Sequence, residues 1–83
     1  MRILVAEDEP RILAFVTRGL ESEGFAVDAA ADGVEALRCA HSAHYDVAVL
    51  DLLLPRIDGL AVLRDLRQHS PELPVVIPVL AAL

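Results

Sequence analysis

Short apolar runs alternate with amphipathic stretches along this chain. Residues 3–6, Ile-Leu-Val-Ala, form a continuous apolar run that stops abruptly at Glu7, Asp8 and Glu9. Such a run fits a strand buried on both faces. Pro10 suits a first helical turn, and the acids before it suit the positive end of a helix dipole. Ile12, Phe15, Val16 and Leu20 then keep helical spacing up to Gly24, a natural stop. Residues 25–30 predict a second strand. Asp32 predicts the cap of a second helix, with Val34, Leu37 and Ala40 along one stripe. Residues 45–50 predict a third strand ending at Asp51. After a loop, Asp58 predicts the cap of a third helix that runs to about His69 and turns Leu60, Leu63 and Leu66 inward. Pro71 and Pro74 frame the next loop, and residues 75–77 start a fourth strand.

The resulting order is β-α-β-α-β-α-β. Strands alternating with helices of this length imply parallel pairing through right-handed crossovers. The expected class is α/β, with helices on both faces of a parallel sheet. There is no linker, low-complexity segment or repeat, so the chain reads as one domain. Residues 78–83 fit badly. Pro78 falls inside what should be a central buried strand, where its missing N–H is not tolerated.

Composition sharpens this picture. At 83 residues the chain allows one small domain of marginal stability. The apolar fraction of 55% argues against disorder. Aromatic side chains are confined to Phe15, Phe25 and Tyr45, so the core is aliphatic. Seven basic residues face thirteen acidic ones, for a formal charge of −6, and all seven are Arg. An acidic chain without a basic stripe is a poor candidate for direct nucleic-acid or anionic-membrane binding. The single cysteine, Cys39, forms no internal disulfide and reads as a core residue of the second helix. No apolar run is long enough to span a membrane, and the first residues do not read as a signal peptide. The expected location is cytoplasmic.

Three acids stand at strand ends: Glu7 and Asp8 after the first, Asp51 after the third. In open parallel sheets, ligands bind beyond the carboxyl ends of the strands. If those two strands are neighbours, the carboxylates converge, and their repulsion is relieved by a hard divalent cation such as Mg2+. The functional reading is a Mg2+ site with a nucleophilic Asp. Singly, each acid reads as well as a helix cap or a solvated residue. Their joint placement favours the site. His41 and His44 share an i, i+3 spacing, but without a third ligand nearby that spacing carries little weight. Arg56 reads as a solvent-exposed loop residue, and Arg64 and Arg67 as a solvated face of the third helix.

The stretch Val5-Ala6-Glu7-Asp8-Glu9-Pro10 resembles the acidic opening of the two-component response-regulator receiver domain. Asp51-Leu52-Leu53-Leu54-Pro55-Arg56-Ile57-Asp58-Gly59 resembles its phosphoacceptor loop, and Ala31-Asp32-Gly33-Val34-Glu35-Ala36-Leu37 the usual opening of its second helix. The resemblance covers residues 2–77 and is nearest to receivers of winged-helix transcription regulators. It implies a flavodoxin-like, doubly wound sheet of order 2-1-3-4, here without helix four, strand five and helix five. It further implies Asp51 as phosphoacceptor for a sensor histidine kinase. Asp8, Asp51 and the backbone carbonyl of Leu53 would be Mg2+ ligands, and Glu7 would act through water. Pro55 and Gly59 would shape the loop. DNA contact would belong to an output domain outside this chain.

The sequence departs from the family pattern in two places. Receivers carry a Thr or Ser at the end of strand four, which here falls near Val79, and a Lys at the end of strand five. No hydroxyl side chain follows Ser70, and there is no Lys. Residues 1–83 are therefore expected to be a partial receiver, defective as a switch, at most phosphorylating itself from a donor, and prone to self-association through an exposed edge or face. A non-phosphorylated module that dimerises or sequesters a kinase is the competing reading. A Mg2+-dependent phosphohydrolase ranks lower, because Leu53 stands where its general acid is needed.

Overall fold

The structure, a computed structural model, describes residues 1–78. Its elements are β1 (Arg2–Ala6), α1 (Pro10–Ser22), β2 (Ala26–Ala30), α2 (Gly33–Ser42), β3 (Val47–Leu50), α3 (Gly59–His69) and β4 (Val75–Val76). The strands form one parallel sheet of order β2-β1-β3-β4. The expected flavodoxin-like order is therefore observed. Residues 79–83, which include the position expected for a switch hydroxyl, lie outside the described residues.

The alternation of side chains along each strand divides the apolar residues between two faces. Leu4 and Ala6 of β1, Ala30 of β2, and Ala48 and Leu50 of β3 are buried against Ala36 of α2 and Val62 and Leu66 of α3. Ile3 and Val5 are buried on the opposite face, over which α1 packs. Residues 3–6 are thus covered on both sides, as their continuous apolar character predicts. Small residues at Ala30, Ala36 and Ala48 let helices and sheet approach closely, so the aliphatic core is filled by Leu and Val.

Helix caps follow the sequence. Glu9 accepts from the Arg11 and Ile12 amides, Asp32 from Glu35, and Asp58 from Ala61, each satisfying N–H groups of a first turn. Gly24 ends α1 with φ 93°. Helix faces differ in phase from expectation. Phe15 is 78% exposed and Ile12 also points outward, while Leu13, Val16 and Leu20 are half-buried. Leu13, Val16 and Leu20 keep helical spacing as well as Ile12, Phe15, Val16 and Leu20 do, so periodicity alone does not choose between them. In α3, Leu60 is 46% exposed and Val62 takes its place in the core. Pro78 meets no conflict with the ladder, because β4 stops at Val76, and among the described residues that strand closes one side of the sheet.

Candidate functional site

The central position of β1 builds the site. Ala6 is level with both Ala30 and Leu50 across its two ladders. Each ladder continues one step further: the Glu7 amide donates to the Ala30 carbonyl and the Asp51 amide to the Ala6 carbonyl, both at 3.0 Å. The backbones of Glu7 and Asp51 are therefore fixed where β1 and β3 end. Asp8 follows directly, before the α1 cap. Carboxylate oxygens of Glu7, Asp8 and Asp51 lie within 4.8 Å of one another. The three acids singled out in the sequence are thus brought together.

Their proximity has an electrostatic cost. Burial pushes the Glu7 carboxyl up to about 7, aided by a hydrogen bond with Asp51 and by the negative charges of Asp51 and Asp8. The Glu9 amide, donating to Glu7 Oε1 at 3.3 Å, opposes the rise. A proton on Glu7 is one way to relieve the crowding. A cation is the other. Three oxygen donors, open to solvent at Asp8, make the donor set of a hard ion.

The loop after β3 is held from both ends. Asp51 Oδ1 accepts from the Leu53 amide at 2.9 Å, which orients the carboxylate. The Leu53 side chain projects into solvent, whereas Leu54 is buried and anchors the loop to the core. The Gly59 amide donates to the Leu52 carbonyl at 3.0 Å, and a Cβ at Gly59 would fall on the Asp51 carbonyl oxygen. Glycine there is a requirement of close packing beside Asp51. Pro55 is exposed, and its carbonyl accepts from the Gly33 amide at 3.2 Å.

That last contact shows what sequence reasoning missed. The loop docks on the start of α2. A Cβ at Gly33 would fall on the Ile57 carbonyl oxygen, and Asp32 reaches Arg56 Nη1 at 3.5 Å besides capping α2. Arg56 has φ 71°, a left-handed conformation that side chains avoid. The Asp32-Gly33 pair is a visible signal for a tight helix start, but nothing in it names residues 55–57 as the partner. His44 joins no metal-ligating group among the described residues. Cys39 packs half-buried against the core, as expected, and burial pushes its thiol up, away from thiolate chemistry. Among the described residues no helix is long and apolar enough to cross a membrane.

A family model for the response regulator receiver domain matches residues 3–81. This chain belongs to that family. The receiver is 45% identical over 76 residues to the transcriptional regulatory protein TcrA of Mycobacterium tuberculosis, an overlap of 92% of this chain and 30% of that protein. The chain thus spans about a third of the length of the curated relatives it matches. The response regulator TrrA of Thermotoga maritima, solved in complex with Mg2+ and BeF, superposes with a TM-score of 0.85 at 37% identity, covering 92% of this receiver and 66% of that chain. A complex of the histidine kinase ThkA with TrrA matches with a TM-score of 0.83, again at 37% identity, covering 92% of this receiver and 66% of the matched chain.

Proposed function

We propose that this receiver takes a phosphoryl group from a sensor histidine kinase onto Asp51, in the cytoplasm, as the input module of a transcription-regulating two-component protein. The observation that carries the reading is the convergence of Glu7, Asp8 and Asp51 at the ends of two adjacent strands. Asp8, Asp51 and the Leu53 carbonyl would hold Mg2+, with Glu7 acting through water. When bound, Mg2+ supplies charge neutralisation around the phosphoryl oxygens. The chain's own contribution is positioning. The Leu53 amide orients the Asp51 carboxylate, which attacks phosphorus. An oxygen–phosphorus bond forms, the phosphorus–nitrogen bond of phosphohistidine breaks, and the imidazole leaves. The kinase-bound and Mg2+-bound solved relatives support this reading, and DNA contact falls to an output domain outside the 83 residues.

Residues 1–83 act in this reading as a partial receiver. They hold no Lys and no hydroxyl side chain after Ser70, so within these residues Asp51 and its acidic neighbours carry the step. Val76 and Ile77, exposed at the β4 side of the sheet, favour a second reading in which the chain acts by self-association or kinase sequestration without phosphotransfer.

Incubation with Mg2+ and acetyl phosphate, followed by intact-mass measurement, tests the first reading. One phosphoryl adduct is expected, and Asp51→Asn abolishes it. An adduct that survives Asp51→Asn sinks the assignment of Asp51. No adduct together with a stable dimer transfers the case to the second reading.

A further inference from the structure

We propose that His41, Asp65 and His69 form a transition-metal site, suited to Zn2+, that ties α2 to α3. It lies in a different part of the molecule from the acidic cluster and uses a different donor set. His41 stands in the last turn of α2. Asp65 and His69 stand four residues apart on α3, which places both side chains on one face of that helix. The two helices pack together, and the three side chains meet across the seam. His41 Nε2 is 2.9 Å from Asp65 Oδ2, and His69 Nδ1 is 3.5 Å from Asp65 Oδ1. The two imidazole rings meet edge to face with centroids 4.7 Å apart. One donor atom from each residue lies within 4.8 Å of the others.

These separations suit a small ion. Ligands at about 2.0–2.1 Å from a tetrahedral centre stand roughly 3.4 Å from one another. Two of the contacts already bracket that value, and small rotations of three solvent-accessible side chains bring in the rest. The chemistry selects the ion: two imidazoles with one carboxylate is a donor set of Zn2+ and its borderline neighbours, whereas Mg2+ and Ca2+ favour oxygen alone. Helix polarity adds to this. His41 and His69 both stand at helix C-termini, where the dipole favours a cation. Side-chain exposures of 48%, 25% and 58% leave a fourth position open to water or to a ligand from another molecule.

The competing account is a metal-free staple in which the two histidine rings hydrogen-bond to Asp65. Co2+ separates the two, because tetrahedral Co2+ absorbs visible light. The 83-residue chain titrated with Co2+ is expected to bind one equivalent at micromolar or lower concentration. Zn2+ should displace it and millimolar Mg2+ should not. His41→Gln keeps an amide donor for Asp65 but removes the imidazole. Together with His69→Ala, it is expected to weaken binding by about 100-fold or more, at unchanged far-UV circular dichroism. His44→Ala and the double variant Asp8→Asn/Asp51→Asn are expected to bind as wild type does. Zn2+ should also raise the thermal midpoint of the wild type and leave that of His41→Gln unmoved, a readout that holds for a destabilised variant too. No Co2+ band in the wild type, a band that follows Asp8 and Asp51, or a Zn2+ shift that survives His41→Gln each overturns the proposal.

Discussion

Tyr45 donates its hydroxyl to Asp28 at 2.7 Å, and Arg2 reaches the same carboxylate through Nε at 3.0 Å while lying over the Tyr45 ring. The hydrogen bond from Tyr45, then that from Arg2, holds the Asp28 carboxyl below its ordinary range. A carboxyl depressed by folding contributes stability that is present above its unfolded value, about 3.9, and lost as the pH falls through its folded value. Asp28→Asn is accordingly expected to cost about 1 kcal/mol at neutral pH, with the deficit shrinking as the medium is acidified below about pH 4. Urea unfolding of both proteins across that range checks it. A deficit constant with pH would show that the charge contributes nothing. This cluster was invisible in the sequence. Asp28 is there a single polar position within the predicted second strand, and its partners stand 17 and 26 positions away. The same is true of Asp65, whose two histidines approach it from different helices. By contrast, Glu7, Asp8 and Asp51 were legible, because strand ends are marked by abrupt changes from apolar to acidic residues. Only the adjacency of β1 and β3 had to be supplied.

At the level of elements, the loop between β3 and α3 depends on α2 as much as on its own residues. Gly33 and Gly59 each leave room for a backbone carbonyl, at Ile57 and Asp51 respectively. Gly33→Ala is expected to destabilise the protein by about 2 kcal/mol, since the obstacle is main chain and cannot rotate aside. Arg56→Gly relieves a left-handed side-chain conformation but gives up an exposed ion pair with Asp32. It is expected to fall within about 1 kcal/mol of wild type. Denaturant midpoints for the two variants decide the point, and a neutral Gly33→Ala would mean that the loop does not dock as described. Helix starts were readable from Asp32 and Asp58, because a short acceptor before a helical stripe has one economical use. The facing of α1 was not, because two stripes shared the same period and only the sheet beneath selects one. Phe15 is the visible result: a large aromatic left outside.

For the molecule as a whole, the sheet presents unequal sides. Ala48 and Leu50 of β3 are buried beneath α2 and α3, while Val47 and Val49 on the α1 face are half-covered. Val76 continues that face at β4 and is exposed, as is Ile77. The 83-residue chain is therefore expected to form dimers as its concentration rises through the micromolar range. Val76→Lys is expected to return it to monomer by placing charge on the pairing strand. Sedimentation velocity over a concentration series measures this, and a monomer at every concentration would remove self-association from the second functional reading. Parallel pairing was legible because strands alternate with helices, while the order 2-1-3-4 was implied by the family resemblance. The shortness of β4 was hinted at only by Pro78.

The placement of β1 also bears on how the chain is made. Its two partners lie at residues 26–30 and 47–50, so the most deeply buried strand precedes both of them in synthesis. At about 5–20 residues per second, roughly 2 to 9 s separate the making of Ala6 from that of Leu50. Throughout that interval one whole side of β1 has nothing to pair with. The strand that organises the finished sheet is, on the ribosome, the one that waits longest for cover.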